Sequence, residues 1–350
     1  TQIYNDFIKF TLKLWYASFS NYSYLEKRIE HMNEKGKSID GLMRHMRNNH
    51  NVKINGSRDK QNLLNMGYYH GYKASMQQFE EFYEVKAVYD FDLEMKTIFY
   101  PMLIKIETSL KNRLIDFLVK GEQCDIEYIY KNKLRDYASK EVGSKDYKKY
   151  LAKNLKLREK IDETIAYNYG NGHPAVQHFF HCNKPLPLWA YFEIITFGEF
   201  GNFIGCLNKE LRINFAESIN LHHSGFNQNG RVIENIVFCL TGLRNATMHN
   251  SVIFDCRFNN SNTSNQLKGY LEKVTGIKNI TFDTLMDFMI LLVMLLKKIN
   301  ITKNELNRYV RHFDDIRETL FLSVPFSTYT AIIGTDAKNK IVALKNFIRK

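Results

Sequence analysis

The residues whose types and spacing can do chemistry are Arg244, Asn245 and His249, in the run Leu243-Arg244-Asn245-Ala246-Thr247-Met248-His249-Asn250. Arginine offers a fixed planar cation, asparagine an amide, and histidine an imidazole that titrates near neutrality. Such a set suits a phosphate, because the guanidinium stabilises charge on phosphoryl oxygens while the imidazole moves a proton. On a helix Asn245 and His249 stand one turn apart and share a face. Arg244 lies about 140° round from His249 at 3.6 residues per turn, so its long side chain must bend to reach the same spot. The plainer reading of these residues alone is a helix whose polar edge happens to carry Arg and His.

The element that must position them is the apolar run Val232 to Met248, with Ile233, Ile236, Val237, Leu240 and Leu243 at helical spacing. Upstream, Pro185 to Gly198 reads as a Pro-started buried helix carrying one acid, Glu193, and ending at Gly198. Val85 to Val119 predicts a long amphipathic helix, in which Pro101 starts or kinks a segment. Its Lys105, Glu107 and Arg113 read as a solvated edge or as buried ion pairs. Residues 3 to 35 also read as helical, with Gly36 as a stop. Residues 36 to 60 are basic, and Asn48-Asn49-His50-Asn51 and Asn55-Gly56 read as loop. After the Arg-Asn-His helix, Phe254 to Leu267 reads as loop, followed by helices over 267–274, 281–299, 302–319 and 336–349, the third capped by Thr302 with Glu305. The fold class is therefore all-α. Gly170, Gly172 and Pro174 mark the best division, into an N-terminal helical region 1–170 and a C-terminal bundle 171–350.

Composition limits the partners. The chain has 350 residues, 44% hydrophobic and 25% charged, with a net charge of +12. Residues 131 to 160 hold eleven Lys or Arg against four Asp or Glu. Lys131, Lys133, Arg135, Lys145, Lys148, Lys149, Lys153, Lys156 and Arg158 are the candidate contacts to a nucleic-acid backbone, with tyrosines interleaved. Tyr68 and Tyr69, in the glycine-punctuated cluster Gly67 to Tyr72, are candidate platforms for bases, or else core packing. Five cysteines without CxxC spacing argue against a disulfide framework or zinc ribbon, and for a cytoplasmic setting. His173, His178, His181 and Cys182 match no common zinc pattern, and no metal or other cofactor is expected. Phe288 to Leu296 is too short to span a bilayer, so no membrane partner is expected either.

Four separated blocks carry a resemblance. Leu63 to Tyr72, then Val88-Tyr89-Asp90-Phe91-Asp92 with Ile106-Glu107, then Pro187-Leu188-Trp189 with Glu193 and Thr196-Phe197-Gly198, and finally Arg244-Asn245 with His249 resemble, in order and spacing, the Abi-like proteins of the AbiD/AbiF type. These are bacterial abortive-infection proteins; His70-Gly71 stands where the pattern has an Arg-containing corner. Arg244 with His249 also resembles the RxxxxH signature of HEPN domains. The resemblance implies a HEPN-like bundle in the C-terminal half, a role in phage defence, and a small structured non-coding RNA as partner. It implies catalysis by a metal-independent endoribonuclease, with Arg244, Asn245 and His249 as its site. One imidazole does not comfortably serve as both base and acid, and one motif per chain leaves a homodimer or a catalytically silent site. The alternative is an RNA-binding module of a ribonucleoprotein defence or toxin–antitoxin system.

Overall fold

Helices carry the whole architecture. The computed structural model describes residues 38–75, 79–121, 123–259 and 263–350; among these there is no strand, only two isolated bridges, Lys53 with Glu81 and Asp125 with Pro187. The helical expectation for residues 3 to 35, with its stop at Gly36, lies outside the described residues. Three short helices come first: α1 (Ile39–His50), α2 (Gly56–Met66) and α3 (Tyr68–Ser75). Asn48 and Asn49, expected as loop, instead belong to the last turn of α1, while Asn51 and Asn55 lie outside the helices. Buried Leu42, Met43 and Met46 hold that helix down, and Asn51 closes it at φ 57°, a left-handed conformation that asparagine tolerates.

The spine is α4 (Phe82–Val119), 38 residues and roughly 57 Å long at 1.5 Å per residue. A reciprocal capping box between Glu81 and Glu84 opens it. It continues through Pro101, which neither starts nor ends a helix here. Loss of one backbone bond is outweighed by the burial of Ile98, Phe99, Met102 and Leu103 around that turn.

The middle of the chain adds α5 (Ile126–Asn132), a 3₁₀ turn at Asp136–Ser139, α6 (Lys145–Gly170), α7 (Pro174–His181), α8 (Leu188–Ile194), α9 (Phe197–Cys206), α10 (Lys209–Ser218) and α11 (Val232–Met248). The single helix expected up to Gly198 is in fact two. Thr196 accepts from the Glu199 amide and the Glu199 carboxylate accepts from the Thr196 amide at 2.7 Å, so a new helix starts at that point. Beside it, α9 lies against α11 through Gly205. A Cβ there would fall on the ends of the Glu234 and Lys153 side chains, so glycine leaves room for that ion pair.

The last helices are α12 (Asn265–Thr275), α13 (Leu285–Lys298), α14 (Lys303–Ser323), α15 (Phe326–Ile333) and α16 (Ala337–Arg349). Thr302 caps α14 as its sequence suggests, while α15 was not legible. α13 is buried from Leu285 to Leu296, including Asp287, which is satisfied by Lys340 at 2.8 Å and by the amides of Thr281 and Phe282. The flanks of α4 are covered by α11 on one side and by α13 and α14 on the other. Buried apolar side chains from Ile39 to Ile348 form one cluster that runs across residue 170. Among the described residues no helix is long and apolar enough to cross a membrane.

Candidate functional site

The apolar face of α11 fixes the helix in the core, with Ile233, Ile236, Val237, Leu240 and Leu243 all buried. Its polar end projects past that core. Asn245 and His249 are exposed, and Arg244 is half-buried. Arg244 Nε donates to Glu107 Oε2 at 3.2 Å, and its Nη1 donates to Asn245 Oδ1 at 3.3 Å. Glu107 is 8% exposed. Its other oxygen takes Lys111 Nζ at 3.0 Å, and Lys111 also donates to the Ile195 carbonyl at 2.9 Å. Two cations thus share one buried carboxylate, leaving one positive charge at the rim while the Arg244 fork is held in place. The His249 side chain has no partner among the described residues; its backbone amide bonds the Asn245 carbonyl and ends the helix.

The chain just beyond His249 is held equally firmly. Asn250 takes a left-handed turn, φ 51°, and its side chain accepts from Lys96 Nζ at 3.0 Å. Lys96 pairs with Asp92 at 2.6 Å, and both are buried. Asp92 Oδ1 accepts from the amides of Ile253 and Phe254 at 2.7 and 2.8 Å, satisfying a buried loop that has no helix or strand to do so. His70 on α3 closes the junction with a hydrogen bond to the Asn250 backbone. Burial, then Lys96, push its imidazole below the ordinary range.

The candidate RNA contacts divide. Lys145, Lys148, Lys149 and Lys156 are exposed on α6, on the face opposite its buried Asn154, Leu157, Ile161 and Thr164, and carry no ion pair among the described residues. Lys131 and Arg135 are exposed beside them, and Lys133 is half-buried. Lys153 turns inward to Glu234 at 2.7 Å. Arg158 binds Glu127 at 2.7 Å and Asp162 at 3.0 Å, and lies over the Tyr130 ring. The expected surplus of seven is therefore smaller at the surface, because acids outside the window neutralise part of it. Tyr150 is likewise occupied, between Lys140 and Arg231. Tyr68 and Tyr69 open α3, but their side chains lie outside the described residues. His178 packs on Phe179 and His181 on Tyr169. Among the described residues no three His, Cys, Asp or Glu gather as metal ligands.

A family model described as Abi-like protein matches residues 61–255, more than half of the chain. The chain belongs to the Abi-like protein family. No curated protein and no solved structure matches it significantly. In this Abi-like chain the matched segment begins inside α2 and ends just past Phe254, so it includes both junctions around α11. Three of the sequence blocks converge there, Glu107 on Arg244 and Asp92 with His70 on the chain after His249, and Lys111, one turn past Glu107, holds the turn just before Thr196. Sequence reasoning missed Glu107, Lys111 and Lys96 as the groups that fix this Abi-like site. The available signal was the pairs Asp92/Lys96 and Glu107/Lys111, each one helical turn apart and embedded in an otherwise apolar stripe.

Proposed function

We propose that this Abi-like protein acts in abortive infection as a metal-independent endoribonuclease whose site is Arg244, Asn245 and His249. The observation that carries this reading is that Arg244 is anchored on buried Glu107 while Asn245 and His249 remain open to solvent. A pre-positioned guanidinium and an open imidazole at the same end of one helix are the groups that electrostatic and proton-transfer catalysis at phosphorus uses. His249 takes the proton of an RNA 2′-OH, whose oxygen attacks the adjacent phosphorus. The phosphorus–5′-oxygen bond breaks, giving a 2′,3′-cyclic phosphate and a 5′-OH. Arg244 meets the charge that develops on the non-bridging oxygens. The 5′-oxygen needs a proton in return, which His249 of a second copy supplies if two sites face each other across a homodimer. Asn245 orients Arg244 or the phosphate.

A second reading is an RNA-binding module that does not cut, belonging to a ribonucleoprotein defence or toxin–antitoxin system. The unpaired lysine face of α6 favours it, since such a face grips a folded non-coding RNA by its backbone and shape. One experiment separates the two. Purified protein is incubated with the RNA that co-purifies with it, in EDTA, and product ends are analysed. Cyclic-phosphate ends that vanish with His249→Ala support cleavage; intact RNA held tightly supports the binding module.

A further inference from the structure

Between the two junctions, α4 leaves one stripe uncovered. Lys96 meets Asn250 and Glu107 meets Arg244, so α4 and the end of α11 run alongside each other over this interval. Tyr100 lies between those two contacts in sequence and within about 40° of both around the helix. It is 51% exposed, and its ring and hydroxyl have no partner among the described residues. Leu93 and Ile104, exposed on the same stripe, extend it in both directions. The opposite flank of α4 is bounded by α14, where Lys105 pairs with Glu305 and Phe99 packs on Phe313. A cleft there is lined by Thr97 and Ile98 of α4 and by Arg308, Tyr309, Arg311, His312 and one acid, Asp315, of α14. Arg308 and Arg311 are exposed and carry no ion pair among the described residues.

An exposed aromatic with cationic groups on both sides matches one chemistry well. Unpaired bases stack on the ring while the phosphates on either side meet guanidinium groups. We infer that Tyr100 is a base-stacking platform for an unpaired RNA strand that crosses α4 from the Arg308/Arg311 cleft to Arg244 and His249. This inference rests on the reading of Arg244 and His249 as an RNA site, and it narrows the substrate to single-stranded or looped RNA. Tyr100 is a specificity-determining residue in it, and α14 supplies the far end of the track.

The test measures binding of a labelled short oligouridine to the full chain in a His249→Ala background, with a blunt RNA duplex as comparison. Tyr100→Ala should weaken oligouridine binding by roughly tenfold or more and Tyr100→Phe should restore it, since the ring does the stacking. Arg308→Gln with Arg311→Gln should lower the salt slope by about 1.4, two single-strand phosphate contacts. Duplex binding should be unchanged by Tyr100→Ala. Full affinity in Tyr100→Ala overturns the inference. So does a wild-type dimer that Tyr100→Ala splits without loss of oligouridine affinity, which makes the stripe a contact between copies. Tyr100-dependent binding without cleavage by the wild type sinks the nuclease reading and keeps this one; cleavage indifferent to Tyr100 does the reverse.

Discussion

Glu107 and Arg244 lie 137 positions apart in the chain, and their side chains meet at 3.2 Å. The contact ties the middle of α4 to the last turn of α11. It makes the direction of the Arg244 fork a property of the core and not of the surface. Glu107→Ala should therefore do two things. It leaves half-buried Lys111 with only a carbonyl partner and lets Arg244 swing free, costing about 1–3 kcal/mol of stability by denaturant unfolding. It should also lower RNA cleavage in parallel with Arg244→Ala. A destabilised Glu107→Ala protein with full activity would show that Arg244 orientation does not matter.

His249→Ala should leave the thermal midpoint within about 1 °C of the wild type, since an exposed side chain without partners is removed. Activity or defence should be lost. A strongly lowered midpoint would mean that the imidazole has a structural task and would remove it from the site.

Charge reversal on α6 should separate surface lysines from structural ones. Lys145→Glu, Lys149→Glu and Lys156→Glu together should weaken RNA binding by roughly tenfold or more and flatten its salt dependence, with little change in stability. Lys153→Ala should do the opposite, destabilising the protein by leaving buried Glu234 with Arg231 as its one remaining cation while RNA affinity holds. If Lys153→Ala reduces affinity as much as the triple variant does, the division between the two groups is wrong.

His70 should make the fold acid-sensitive. Its folded imidazole titrates below the ordinary range because it is buried and lies near Lys96, with Asp92 and the Asn250 backbone only partly compensating. The unfolded chain therefore takes up the proton first. Stability is complete above the ordinary imidazole range and falls as pH drops through that range toward the lowered folded value. The urea midpoint should be lower at about pH 5.5 than at about pH 7.5, and His70→Gln should reduce that difference. An unchanged pH dependence in His70→Gln would assign the sensitivity to another group.

The all-α class, the course of α4, and the limits of α11 were legible from apolar periodicity, because those helices bury one stripe or are buried whole. The Thr196–Glu199 capping box was present in the sequence, yet the largely apolar stretch Leu188 to Phe197, broken by Glu193 and Thr196, reads as one buried helix that ends at Gly198. Pro101 does not start a helix, because the burial of Ile98, Phe99, Met102 and Leu103 around it carries α4 on through that turn. Of the candidate site, Arg244, Asn245 and His249 were visible as types at a spacing. Glu107 was visible as a member of a solvated edge or a buried ion pair and of a family block, but its partner Arg244 was not, because nothing local in a sequence says which distant cation a carboxylate will meet. For the same reason Lys153 and Arg158 read as surface charge, their partners Glu234 and Glu127 lying outside the basic run.

The uninterrupted passage of α4 through Pro101 has a consequence for how this chain can be cut. Family identity resides in residues 61–255, but one flank of α4 within that segment is roofed by α13 and α14, which come after it. Excising the matched segment would strip the covers from Phe99, Met102 and Ile106 and leave half of the longest helix as a bare oily ridge. The recognisable part of the protein is thus not a portable module. The C-terminal helices act as its permanent internal partner, and a fragment ending near 258 should recover solubility only when residues 263–350 are supplied in trans.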